Sequence, residues 1–331
     1  MLTPRGAPAA RELGFCGLRI PFAVPPPGTS RFDVAGLGLN SIDLVSVVAG
    51  HPAPNSKQRL EHFARCPGGQ IATAMVACAR LGLTAHYVGS FGDDALGVES
   101  RASLTAEGVC TDGARVAAGA TNQFAVVLVD ARTGDRTVLW DRHPGLTMSA
   151  DDVPRAAVTS GRMLVVDCHE TAAATRAASY AREAGIPTVV DVERVRPGIH
   201  DLLRQIDAII AAERFPAELT GHAETGRALE AMAAEFRAPL VCVTLGREGS
   251  LARVAGREFR TPGFAVECVD STGAGDAFRG GFAAACLLPA IRSVEETLLY
   301  ANAVAALNCQ ALGARGGLPD AEQVQRLLGA R

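Results

Sequence analysis

From residue 32 onward, short apolar runs of strand character alternate with stretches of helical periodicity. Residues 33–39, 85–89, 163–167, 188–191, 207–211 and 240–245 read as strands. Residues 70–81 and 95–107 read as helices, the first stopped by Gly82, and an Ala-rich helical stretch follows the 163–167 strand. Such alternation implies a mostly parallel sheet covered by helices on both faces, because parallel strands need long crossover connections. Two regions break the pattern. Residues 44–66 and 121–143 look like β structure without crossover helices, and the strands 123–130 and 136–140 are joined by Ala131-Arg132-Thr133-Gly134-Asp135, a hairpin signal. These regions predict a small sheet projecting from the main domain. The expected fold class is therefore α/β, three layers with a small β-sheet lid. Residues 1–30, rich in Pro, Gly and Ala, are expected to form an N-terminal extension, in part disordered, ahead of one domain over 31–331.

Composition removes several classes of function. The formal net charge is −3 and the basic residues are scattered, which argues against nucleic acid as a partner. Lys57 is the only lysine and no Gly-x-x-x-x-Gly precedes it, so a P-loop is excluded. Nine cysteines without a Cys-x-x-Cys pair, among them Cys78, Cys242 and Cys286 in apolar runs, fit free thiols in a reducing cytoplasm. The histidines are as dispersed as the cysteines, which speaks against zinc. No run is long enough to span a membrane.

Chemistry concentrates at Asp270-Ser271-Thr272-Gly273-Ala274-Gly275-Asp276. A strand-like run over 265–269 leads in and an apolar helix, roughly 276–288, leads out. Gly273 and Gly275 remove side chains where backbone N–H groups and the helix dipole can face an anion. A carboxylate beside such a site repels a phosphate, so Asp276 makes sense as a base that takes a proton from an attacking hydroxyl. Capping of the helix is the plainer role for an Asp there.

This segment resembles the PfkB signature D-T-x-G-A-G-D, with Ser271 at the second place, and the resemblance extends over most of residues 33–328. It implies a ribokinase-like fold and an ATP-dependent carbohydrate kinase that uses magnesium. Asp276 would be the general base, and Gly273, Ala274 and Gly275 would hold the transferring phosphoryl group. Asp43 matches the aspartate that grips substrate hydroxyls, and Gly68-Gly69 before Thr73 matches the substrate-binding glycine pair, where most members carry Asn in place of Thr73. Thr244, Gly246 and Gly249 match the loop beside the ATP phosphates. Asn302 and Gly313 match elements that wall the adenine, and Asp270 and Thr272 a site for a monovalent cation such as potassium. The N-x-x-E element that helps organise magnesium is degraded to Ala212-Glu213-Arg214-Phe215, which leaves Glu213 and, second, Glu218 as metal candidates.

Within the family the chain is most similar to the ketohexokinase and sulfofructose kinase branch, through Gly68-Gly69 with Ala72-Thr73 and through the tail from Ala306-Leu307-Asn308-Cys309 to Gly313-Ala314-Arg315. That similarity implies phosphorylation of a hydroxymethyl group on a ketose-like sugar or its acidic derivative, for which Lys57, Arg59 and Arg142 are candidate cations. Ribose, nucleoside and keto-deoxy-sugar acceptors stay open. So does a sugar-binding protein without catalysis, which the degraded metal element favours. An oxidoreductase would rest on Gly36-x-Gly38, whose third glycine is Ser41. The expected partners are sugar and ATP, with a homodimer formed through the lid.

Overall fold

The computed structural model describes residues 17–133, 136–291 and 293–330. Fourteen strands are present in them: β1 (Phe32–Leu37), β2 (Ser41–Val48), β3 (His62–Gly68), β4 (Ala85–Val88), β5 (Ser90–Gly92), β6 (Arg115–Ala117), β7 (Phe124–Asp130), β8 (Arg136–Asp141), β9 (Gly161–Asp167), β10 (Thr188–Val192), β11 (Ala208–Ala212), β12 (Leu240–Thr244), β13 (Ser250–Val254) and β14 (Arg257–Thr261). Eight of them form the main sheet in the order β14-β13-β12-β11-β10-β9-β1-β4. Pairing is parallel from β4 through β12, and β13 and β14 close one edge as an antiparallel meander.

The central strands are apolar on both faces. In β9, Met163 and Val165 point into one cluster and Leu164 and Val166 into the other. The first cluster is closed by the helices Gln70–Arg80, Ala274–Leu287 and Val294–Asn308, through side chains such as Met75, Phe282 and Leu298. The second is closed by Thr171–Glu183 and Thr225–Phe236, through Ala177, Leu229 and Met232. Burial on both faces is what makes the strands continuous apolar runs rather than alternating ones.

The lid is a separate four-stranded sheet in the order β3-β2-β7-β8. Its inner face carries Val45, Ala125, Val127 and Val129, a small core of its own. Of the expected extension, residues 1–16 lie outside the described residues. Residues 17–30 are laid on the body: Leu18, Ile20, Phe22 and Val24 pack on the first cluster, Val294 N donates to Leu18 O, and Arg162 Nε donates to Pro25 O.

The strand expected over 265–269 is absent. No strand pairs with this stretch among the described residues. Instead, Val269 N and Asp270 N both donate to Cys309 O, and the Val269 side chain is 47% exposed.

The helices of the first cluster meet through small residues. A Cβ on Gly280 would stand 2.6 Å from Ala77 Cβ and 2.7 Å from Ala74 O. Gly280→Val should therefore destabilise the protein by about 1–3 kcal/mol through overpacking, read as a lowered denaturant midpoint.

Candidate active site

The carboxyl ends of β1, β9, β10, β11 and β12 open beneath the inner face of the lid. Ligands bind at this edge in open α/β sheets, because the strand ends and helix starts converge there. The cleft has a volume of about 500 Å³. Its walls include Ser41, Asp43 and Trp140 from the lid and Thr244, Gly275 and Asp276 from the body.

Gly273 precedes the helix Ala274–Leu287 with φ of 74°, and a Cβ there would lie 2.4 Å from Ala314 O. Only glycine satisfies both conditions. The loop is held from below. Asp270, 1% exposed, accepts from Thr272 N at 2.8 Å, Thr272 Oγ1 at 2.7 Å and Gly313 N at 2.9 Å. Asn308 Nδ2 donates to Thr272 O and Ala314 O. From above, Arg136 Nη1 of the lid donates to Ser271 Oγ at 2.5 Å. Ala274 N donates to Ser271 O and Ala277 N to Gly273 O, while the N–H groups of Gly275 and Asp276 have no acceptor within the helix and leave positive charge at this end.

Asp276 stands in that first turn. Burial pushes its carboxyl up to about 7 against the pull of Arg279, and the charges of Glu193, Asp167 and Asp43 push the same way as burial. Arg279 lies between two acids, with Nη1 3.5 Å from Asp276 Oδ1 and Nη2 2.5 Å from Asp191 Oδ1. On the lid side of the cleft, Asp43 accepts from Ser41 Oγ at 2.8 Å, and burial raises its carboxyl. Gly68 permits this arrangement, since a Cβ would sit 2.4 Å from Asp43 Oδ2, while its carbonyl accepts from the buried Arg315 at 2.6 Å.

The expected residues divide into two groups. Asp43, Gly69, Thr244, Thr272, Gly273, Gly275 and Asp276 line the cleft together. Gly68, Ala274, Gly246, Gly249, Gly313 and Asp270 are not among the residues that line it. Thr73 is fully buried with Oγ1 3.3 Å from Arg315 Nε. Asn302 is turned inward and donates to Ser250 Oγ and Thr261 O. Glu213 and Glu218 are exposed outside the cleft. Lys57 and Arg59 are exposed and outside it as well, and Arg142 is spent on Glu170 at 2.5 Å.

Several lining residues went unnoticed in the sequence: Gln123, Trp140, His169, Glu193, Arg194 and Arg196. His169 and Glu193 each sit one or two positions past the end of a parallel strand, which is the one signal that marks them. His169 packs edge-on to Trp140, with centroids 5.8 Å apart. Burial, with Arg196 and Arg142 nearby, pushes its imidazole down to about 4. His86, Cys110 and Asp112, scattered in the sequence, do come together, but near the amino ends of the strands. There Gly113 N donates to His86 Nε2, and Ser160 Oγ lies 2.8 Å from Nδ1.

Residues 32–321 match the model of the pfkB family carbohydrate kinases, and the chain belongs to that family. It is 31% identical to an ATP-dependent ribose-1-phosphate kinase of Halopiger xanaduensis, over 80% of this chain and 87% of that protein. It is also 31% identical to fructokinase-1 of Oryza sativa subsp. japonica, over 89% of this chain and 97% of that protein. Among solved structures, the ribokinase of Arabidopsis thaliana complexed with ribose and ATP superposes with a TM-score of 0.77 at 26% identity, covering 90% of this chain and 98% of that one. The chain is thus an ATP-dependent sugar kinase, a phosphotransferase with an alcohol acceptor. Among the described residues, no helix is long and apolar enough to cross a membrane.

Asp270→Ala would leave three donors without their acceptor, at a cost of about 1–3 kcal/mol. The amide of Gly313 should lose hydrogen-exchange protection in that variant.

Proposed function

We propose that the protein transfers the γ-phosphoryl group of ATP to a hydroxymethyl oxygen of a ketose-like sugar, with Asp276 as general base. The observation that carries this reading is the position of Asp276. It lies at a helix N-terminus opened by Gly273 and Gly275, in one cleft with Asp43. The sugar hydroxyls are held by Asp43 and by the backbone around Gly69. Asp276 takes the proton of the acceptor hydroxyl as its oxygen forms a bond to the γ-phosphorus. The bond from that phosphorus to the β,γ-bridging oxygen breaks, and ADP leaves. The helix N-terminus and the loop N–H groups stabilise charge on the phosphoryl oxygens.

The rice fructokinase supports a ketose, and the two ribose-directed relatives keep a pentose acceptor as the second reading. For an acidic ketose, Arg194 and Arg196 in the cleft are better placed than Lys57, Arg59 or Arg142. Hard oxygen donors around the phosphate loop, including Thr244, Ser271 and Glu193, fit magnesium. When bound with ATP, that ion would neutralise phosphate charge during transfer.

We also infer a homodimer in the cytoplasm. The outer face of the lid exposes Phe63 at 52% and Leu139 at 59%, beside the half-buried Leu44, Val126 and Leu128. An unpartnered apolar sheet face of this kind suits a second copy. Leu139→Glu should shift the protein to monomer in sedimentation velocity. A wild type that sediments as monomer would remove the proposal.

Asp276→Asn keeps the shape but cannot accept the proton, and should lower kcat by about 10²–10⁴-fold while ATP still binds. In the wild type the carboxylate form is the active one, and burial raises its pKa to about 7. kcat/KM should then climb by about tenfold per pH unit from the acid side and level above pH 7. Near-wild-type turnover by Asp276→Asn would refute the assignment.

A further inference from the structure

We infer that Glu193 is the carboxylate with which this chain holds the magnesium ion of its nucleotide, one strand away from the degraded N-x-x-E element. This rests on the kinase reading above.

The degraded element itself has nothing to offer a metal. Ala212 reaches the cleft with a methyl group only, Phe215 is fully buried in the core, and Glu213 is exposed outside the cleft. The parallel register pairs Val192 of β10 with Ala211 of β11, so Glu193 leaves its strand alongside Ala212. A carboxylate therefore stands on the neighbouring strand end, beside the position where the lost Asn would have been.

Glu193 lines the same cleft as Thr244, Gly273 and Gly275, and its charge helps raise the carboxyl of Asp276. An acid in a cleft that takes a triphosphate repels it unless a cation lies between them. Asp276 has a use as a base, whereas Glu193 has none in proton transfer. Its neighbouring cation is Arg196, whose Nη2 is 3.9 Å from Oε1, too far for a hydrogen bond. Two residues earlier in the chain, Asp191 is fully buried and its charge is met by Arg279, 2.5 Å away. One guanidinium, that of Arg279, serves both Asp191 and Asp276. A divalent ion at Glu193 would supply the positive charge that this corner lacks. Magnesium asks little more of the protein, because it keeps several waters and takes its other ligands from phosphate.

The test is ATP affinity measured by titration calorimetry, with and without magnesium, for wild type, Glu193→Gln and Glu213→Gln. In the wild type, magnesium should tighten ATP binding by a coupling factor of about 5–150-fold. Glu193→Gln should abolish most of that factor with effects of opposite sign: weaker binding of Mg–ATP, and unchanged or tighter binding of metal-free ATP, since a repelling charge is gone. A purely structural role would weaken both alike and would overturn the inference. Magnesium coupling that survives in Glu193→Gln, or that is lost in Glu213→Gln instead, would overturn it too, while leaving the kinase reading intact. A wild type that binds no ATP under either condition would overturn the kinase reading and the inference together.

Discussion

Arg279 is buried between Asp191 on the sheet and Asp276 at the start of a helix, and the geometry of the cleft depends on it. One cation against two acids leaves this corner with excess negative charge. Burial pushes Asp276 up to about 7 and Asp191 well above the usual carboxylate range; Arg279 pulls both down, and the neighbouring acids add to the rise. The guanidinium also fixes where the first turn of the helix sits relative to β10. Gly275 makes room for it, since a Cβ there would lie 2.5 Å from Arg279 Nη1. Breaking such a buried arrangement from one side costs about 3–5 kcal/mol. Folding and chemistry thus draw on the same ion pairs.

Much of the fold was legible before any coordinates, for a physical reason. A parallel strand covered on both faces has to be an uninterrupted apolar run, as in Met163–Val166, and a helix between two such runs has to carry an apolar stripe. The lid was legible through its hairpin and its lack of crossover helices. The run over 265–269 misled because apolar character reports burial or proximity to a surface, not hydrogen bonding. A strand also needs a neighbour, and the sequence does not say whether one is present. The packing of Leu18, Ile20, Phe22 and Val24 was hidden for a related reason: a short alternating segment shows its purpose only where a groove receives it.

The site divides along similar lines. That Gly273, Gly275 and Asp276 stand together at a helix start was legible because the three are nearly contiguous in the chain. Residues contributed singly by strand ends were not, as His169, Glu193 and Trp140 show. Arg279 lies in the helix expected over 276–288, yet its partner Asp191 is remote in sequence and the pair can be seen only in three dimensions. Thr73 and Asn302 are the opposite case. Both sit in recognisable positions, but each turns inward to satisfy buried neighbours, Thr73 beside Arg315 and Asn302 beside Ser250.

Asp43 and Asp276 share one cleft with a helix N-terminus, and the reaction proposed there is phosphoryl transfer to a sugar alcohol. The most direct measurement is phosphorus NMR of the protein incubated with ATP, magnesium and individual sugars, including ketohexoses, an acidic ketose and ribose. The account predicts sugar-dependent loss of the γ-phosphate resonance and the appearance of a phosphomonoester on a hydroxymethyl carbon, favoured for ketoses. ATP consumed at the same rate without sugar, or no phosphomonoester from any of these acceptors, would contradict it.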